Sequence, residues 1–448
     1  MMRESLHSRY DVVISGLEAR TCHSWKMALD RSSVFAASET NFVGEKSPAI
    51  FFESAKDARL TDIDGNTYID TCMGFGANLL GHSSRGVQKA VSDQLVAGCN
   101  FGFPGSRQLE LVNLLRDAGR ANERVLLCAS GSDATALAMR AARAFTNRKE
   151  ICLFSGSYHG VHDYSLIARL PGDEIGKSHI GLGIPDAIDP LVEPMTYGTR
   201  FALHQLEEMK NPPAAVIVEP VQSSRPGATD PVWLRDLQNL CRRRGILLIL
   251  DECTTGFRLA FGGAQELFDL DPDLVIYGDN VAGGLPFGAI AGKDKVMRLF
   301  SGKNGSPAVF AGSSFSGNAL SMSCAIYTLS HLRDHSKDVY ANLERGGARL
   351  ANRINEYWTN ANLPLRINRF GSILKLDFDT SSNGTQDAPR HSFEDAADVF
   401  FVHLLDCGVT VHASQVMYLS TAHTDSEIDS IVDALISASE QTAADGFF

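Results

Sequence analysis

Five polar positions in this 448-residue chain stand at, or just past, the end of an apolar run: Ser130-Gly-Ser132, Tyr158, Glu219, Asp251 and Asp279. Each has distinct chemistry. Ser-Gly-Ser ahead of an alanine-rich segment can cap a helix. The same geometry offers backbone N–H groups and the positive end of a helix dipole to a phosphate. Asp251-Glu252 follows Ile246-Leu-Leu-Ile-Leu, which would bury carboxylates. A buried carboxylate is costly without a cation or hydrogen-bond donor beside it, and a protonated ring nitrogen would be such a partner. Tyr158-His159-Gly160 also reads as a surface turn, and Glu219-Pro220 as the stop of a strand. Asp279 sits in Gly278-Asp-Asn-Val-Ala-Gly-Gly-Leu-Pro-Phe-Gly288, a glycine-rich turn after the apolar run Leu274–Tyr277. Glycine there lets backbone approach a ligand closely.

The elements that must carry these residues follow from the hydrophobic pattern. Val125-Leu-Leu-Cys-Ala, Ile151-Cys-Leu-Phe, Ala214-Ala-Val-Ile-Val, Ile246–Leu250 and Leu274–Tyr277 are short continuous apolar runs, with Ala289-Ile-Ala-Gly292 a further one. Segments with helical composition, 134–145 and 232–244, lie between them. Continuous apolar strands alternating with helices imply a parallel sheet buried on both faces. Ligands of such sheets bind beyond the carboxyl ends of the strands, where the five positions fall. Nearer the N-terminus, Ala49–Glu53 reads as a strand, Ala58–Asp70 as a hairpin around Asp64-Gly65, and 87–97 as a helix.

Composition narrows the function classes. A formal net charge of −12 argues against nucleic acid and anionic membrane surfaces as partners. No apolar run approaches the roughly 18 residues that cross a bilayer, and the first ten residues hold no apolar h-region. Nine scattered cysteines without a Cys-x-x-Cys pair fit reduced thiols better than a disulfide frame or a zinc site. A cytoplasmic location is the expectation.

Several motifs in order resemble those of class III aminotransferases among the fold type I pyridoxal-phosphate enzymes, and glutamate-1-semialdehyde aminomutases most of all. They are Asp62-Ile-Asp-Gly-Asn-Thr-Tyr-Ile-Asp70, Leu80-Gly-His82, Ser130-Gly-Ser-Asp-Ala-Thr135, Tyr158-His-Gly160, Leu250-Asp-Glu-Cys-Thr-Thr-Gly-Phe-Arg258, Phe261-Gly-Gly-Ala-Gln265, Gly283-Gly-Leu-Pro-Phe-Gly288, Phe315-Ser-Gly-Asn318, Ala413-Ser-Gln415 and Ser420-Thr-Ala-His423. The resemblance implies an α/β fold of that type. Its large cofactor-binding domain, residues 76–325, would hold a mostly parallel seven-stranded sheet, and segments 1–75 and 326–448 would build a smaller α+β domain. It further implies pyridoxal or pyridoxamine 5'-phosphate as cofactor, a small amino or keto substrate, and a homodimer with shared sites. Gly131 and Ser132 would bind the phosphate, Tyr158 would stack on the ring, and Asp251 would pair with its nitrogen. Cys253 would pack on the other face, with Glu219 also in the cofactor site. Ser314 would reach the phosphate of the neighbouring subunit.

The chain departs from the family at one decisive position. The family carries a lysine directly after the glycine that is Gly278 here; it forms the Schiff base with the cofactor and shuttles protons. This chain has Asp279, which cannot form an imine. The glycines and Leu-Pro fix the register, and Lys293, Lys295 and Lys303 do not fill the position. The stretch Ser414–Ser420 lacks the acidic residue of the aminomutases, and Ser32–Ser38 holds no counterpart of their substrate-binding arginine, so aminomutation of glutamate semialdehyde is not expected. Three readings stay open. One is a lysine-less enzyme that keeps the cofactor and uses Asp279 as acid or base. The second is a non-catalytic or scaffold relative. The third is a pocket reused for cofactor-independent chemistry with Asp279, His159 or Glu219. An engineered substitution of the lysine is a fourth, mundane account.

Overall fold

A seven-stranded sheet carries the five polar positions at or just past the ends of its strands, and its order explains why they meet. A computed structural model of the chain describes residues 12–31, 50–169, 176–301, 307–378 and 391–448. Ala49, Ser32–Ser38 and Lys303 lie outside them. The chain packs as two units, residues up to 84 together with those from 341 onward, and residues 85–340.

In the unit of 85–340 the strands are β1 (Arg124–Cys128), β2 (Ile151–Phe154), β3 (Val192–Met195), β4 (Ala215–Val218), β5 (Leu247–Asp251), β6 (Leu274–Tyr277) and β7 (Gly288–Gly292). Their order across the sheet is β1-β7-β6-β5-β4-β2-β3. Neighbours pair in parallel except β7, which runs antiparallel to both β6 and β1. The carboxyl ends of β1, β2, β4, β5 and β6 therefore share one edge. β2, β4, β5, β6 and β7 are buried at every position, which is why they read as unbroken apolar runs. β3 gives no such signal: it is four residues long and contains Pro194, which an edge strand tolerates.

Helix α1 (Gly131–Thr146) starts where Ser130 turns extended and its side chain accepts the Asp133 N–H, and it ends at Asn147 in the left-handed region. Most of its buried side chains are small, Ala134, Ala138, Ala141 and Ala142 beside the larger Met139, and these pack with Ile276 and Ile290 of the sheet in one core cluster. Helix α2 (Pro231–Arg244) is capped by Asp230 and closed by Gly245 at φ +61°. Its Trp233 meets Phe154 and Tyr197 edge-on or tilted, at 5.2 and 5.0 Å between ring centres. Such pairs contribute on the order of 1 kcal/mol each beyond burial, and these fix the end of β2. Helix α3 (Ala319–Asp334) runs unbroken across residue 325, so a domain edge placed there would cut a buried helix.

The other unit builds its core around Leu350, Ile354, Trp358, Phe400 and Ile431. The expected hairpin is present: strands Arg59–Asp62 and Thr67–Asp70 pair antiparallel around a turn with Gly65 at φ +87°. Phe52–Lys56 pairs with the first of these strands, and Val409–Thr410 adds in parallel to the second. Among the described residues, no helix is long and apolar enough to cross a membrane.

Candidate functional site

The first turn of a helix leaves backbone N–H groups without intrahelical partners. In α1 that turn holds Gly131 and Ser132, with Ser130 as the cap. The predicted cap is present, and the turn it starts is the one where anion binding was expected. Close packing holds it against the sheet edge. A Cβ on Gly131 would come within 2.9 Å of Cys253 Sγ, and one on Gly278 within 3.2 Å of the same sulfur. A Cβ on Gly160 would lie 2.6 Å from Ser132 Oγ, at φ +103°. Loops after β1, β2, β5 and β6 therefore converge.

Asp251 ends β5 and is 2% exposed. Its Oδ2 lies 2.6 Å from His159 Nδ1, and its Oδ1 accepts the Cys253 N–H at 3.1 Å. His159 is equally buried, and its Nε2 has no hydrogen-bond partner among the described residues. The His159 carbonyl accepts from Thr135 Oγ1 at 2.6 Å and from Ser165 Oγ at 3.1 Å, which ties the pair to α1. The sequence marked His159 as an acid–base candidate; its partnership with Asp251, 92 positions away, carries no local signature. His162, which no sequence pattern singled out, belongs to the same cluster. Its Nε2 lies 2.9 Å from Ser165 Oγ and 3.2 Å from Thr135 Oγ1. Burial, then the neighbouring His159 and Arg143, pull its imidazole down to about 4.

Glu219 is 7% exposed beyond β4. Burial, then the charge of Asp251, push its carboxyl well above the ordinary range, against the N–H groups of Ser223 and Tyr158. Burial and then Asp251 likewise push the Cys253 thiol up. Tyr158 presents an open ring, 63% exposed, directly before buried His159. Ser314 lies on an exposed loop outside the buried cluster, its carbonyl accepting from Asn100 Nδ2 at 2.8 Å.

Asp279 opens the short 3-10 turn Asp279–Ala282 after β6. Its side chain is open to solvent, while Gly278, Asn280, Val281 and Ala282 are buried. The protein packed around it desolvates the carboxyl and pushes it up from its ordinary value; hydrogen bonds from its own N–H and that of Asn280 oppose this. The turn hangs from Tyr277, whose buried hydroxyl accepts from Asn122 Nδ2 and Gln265 Nε2 at 2.8 Å each. Lys293 and Lys295 follow the end of antiparallel β7, at the opposite edge of the sheet. There they pair with Asp271 and Asp273 at 3.1 and 3.2 Å.

The α1 turn presents backbone N–H groups, Asp251 a buried carboxylate and Tyr158 an exposed ring, which are the features that an anionic group, a basic ring nitrogen and a planar face would each require. His159 and the Cys253 N–H hold the carboxylate in place.

Comparison with known proteins follows the same line. The sequence model of the family described as aminotransferase class-III matches residues 42–438. A protein named glutamate-1-semialdehyde 2,1-aminomutase, from Syntrophus aciditrophicus (strain SB), is 34% identical over 397 residues, which cover 86% of this chain and 89% of that protein. The crystal structure of a β-phenylalanine aminotransferase from Variovorax paradoxus superposes with a TM-score of 0.83 at 25% identity, covering 99% of both chains. A lysine-to-alanine variant of a glutamate-1-semialdehyde aminomutase from Pseudomonas aeruginosa PAO1, in complex with PMP, superposes with a TM-score of 0.83. It is 20% identical and covers 99% of this chain and 98% of its own; that likeness is one of fold alone.

Proposed function

Because this chain belongs to the class III aminotransferase family, we propose that it is a pyridoxal- or pyridoxamine-phosphate enzyme working without the family's anchoring lysine. Its substrate would be a small amino or keto compound. The observation that carries this reading is the buried Asp251–His159 pair beside the N-terminal turn of α1. A buried acid held so closely is costly to keep unless a cationic partner uses it.

When bound, the cofactor supplies an electron sink for charge that develops at the substrate carbon. The chain's own residues do the rest. Gly131 and Ser132 would hold the phosphate, Asp251 would pair with the ring nitrogen, and His159 orients Asp251. Tyr158 and Cys253 would pack against the ring. Asp279 stands where the lysine would be and exchanges a proton with the substrate carbon; its upward-shifted carboxyl suits that task. Burial, then the charge of Asp251, push the Glu219 carboxyl up, which disfavours a second negative charge beside Asp251.

The same reading makes the protein a homodimer. Phe101, Phe103, Leu109, Phe310 and Phe315 are exposed at 48–83%. The segment of Leu109 and the loop of Phe310 and Ser313 also line a cavity of 890 Å³. Apolar surface of this kind marks an interaction site, and a second copy docked there would bring Ser314 toward its neighbour's phosphate turn. Size-exclusion chromatography with light scattering reads the mass directly; a monomer at micromolar concentration overturns this part.

The central test adds pyridoxal phosphate and pyridoxamine phosphate separately to purified protein and records visible spectra and affinities. Tight binding of pyridoxamine phosphate, with no lysine adduct trapped by borohydride, is the expected result. Binding of neither compound removes the proposal.

A further inference from the structure

The unit that contains the N-terminal hairpin brings together three donors with no part in the cofactor site. Asp64 lies in the hairpin turn, and its side chain is 4% exposed. Cys22 and His23 open the helix Cys22–Arg31. Asp64 Oδ1 accepts the His23 N–H at 2.9 Å, and Oδ2 accepts the Ser24 N–H at 3.0 Å. The carboxylate thus caps the helix from 40 residues away. The same Oδ1 also lies 2.7 Å from His23 Nδ1 and 3.6 Å from Cys22 Sγ, and the sulfur lies 3.6 Å from that nitrogen. Capping explains the carboxylate and its two N–H bonds. It does not require a thiol and an imidazole to converge on one carboxylate oxygen.

We propose that Cys22, His23 and Asp64 form a zinc site with an open fourth position. A tetrahedral zinc with bonds of about 2.3 Å to sulfur and about 2.0–2.1 Å to nitrogen and oxygen separates sulfur from each lighter ligand by about 3.5 Å. Both distances to sulfur have that value here. The nitrogen–oxygen edge is shorter because a hydrogen bond spans it, and it opens by roughly 0.6 Å when the metal replaces the proton. The donor set, one thiolate, one imidazole and one carboxylate, suits zinc and excludes magnesium or calcium, which take oxygen ligands. The second sphere is in place. The Ser24 N–H fixes the oxygen that faces away from the metal, and the Asp64 N–H is anchored to Asp62 Oδ1 at 3.0 Å. Solvent reaches the site, since the His23 side chain is 74% exposed. Bound zinc would clamp the helix to the hairpin and leave one coordination position for water.

Cobalt substitution and zinc competition test this on the full chain after chelator treatment. Cobalt is expected to give a sulfur-to-metal charge-transfer band, and zinc to displace it at one equivalent. Cys22→Ser abolishes the band. It also weakens zinc by more than about tenfold, because a lost ligand costs at least as much as lost support for one. Cys99→Ser, at another exposed cysteine, changes neither. His23→Asn keeps the band but lowers affinity. Cys22 and His23 are exposed, and an unchanged far-ultraviolet spectrum and melting temperature of the metal-free variants check that they fold. A wild-type protein without the band, or a band that survives Cys22→Ser, overturns the assignment.

Discussion

His159 Nδ1 and Asp251 Oδ2 lie 2.6 Å apart with both side chains about 1% exposed. An acid buried so deeply has its orientation set by the imidazole and by one backbone N–H, and it faces the site with little freedom. Removing its charge should therefore act on ligand binding before it acts on the fold. Asp251→Asn is expected to weaken pyridoxamine phosphate by on the order of tenfold or more, with an unchanged far-ultraviolet spectrum. His159→Asn should weaken it less. Equal affinities in titrations of all three proteins would refute the role given to Asp251.

A second expectation concerns Asp279. As a base it works only when ionised, so exchange of the substrate α-proton should rise with pH through its pKa. Desolvation places that pKa above the ordinary carboxylate value. Proton exchange in heavy water, followed by NMR across a panel of small amino compounds, gives the profile. Asp279→Asn should abolish exchange, and Asp279→Lys should create a borohydride-trappable adduct with pyridoxal phosphate. Unchanged exchange in the asparagine variant eliminates the catalytic assignment.

His162 gives the protein an acid-sensitive element. Its folded-state pKa, about 4, lies below the ordinary 6.5. Between those values the unfolded chain binds the proton and the folded chain does not, so stability rises with pH there. The contribution is complete above 6.5 and is lost as pH falls toward 4, on the order of 3 kcal/mol in all. Thermal melts from pH 7 to 4.5 should show His162→Gln losing less stability over that interval than the wild type. Parallel curves would refute it.

Gly160 supports the phosphate turn by close approach alone. Alanine there meets both Ser132 Oγ and Ser132 Cα within 2.8 Å, at a φ of +103°. Gly160→Ala should cost about 1–3 kcal/mol, seen as a lower urea midpoint with an unchanged slope. Phosphate-bearing ligands should also bind more weakly, since α1 must shift at its first turn.

Much of this arrangement is visible in the chain before folding is considered. β2, β4, β5, β6 and β7 are buried on both faces, so their apolar runs are continuous, and Ser130 declares the start of α1 through its cap. β3 escapes notice because Pro194 interrupts a four-residue edge strand. The boundary near residue 325 misleads for the opposite reason: α3 is buried on several sides and offers no change of pattern where a break was expected. Pairings such as His159 with Asp251, or Cys22 and His23 with Asp64, are products of tertiary approach. Scattered cysteines argue against a zinc motif in sequence, yet His23 and Asp64 meet across 41 positions once the hairpin turn reaches the helix.

The turn after β6 separates two demands that usually conflict. Its backbone and its neighbours Asn280, Val281 and Ala282 are buried, and Tyr277 beneath them is held by two neutral amides. The side chain at 279 projects from this base into solvent and contributes little to the packing. A replacement there gives up the two N–H bonds of the Asp279 carboxyl and leaves the buried base of the turn in place, a small cost beside the loss of a core contact. Position 279 is therefore free to vary over evolutionary time, with selection acting on the reaction and hardly at all on the fold.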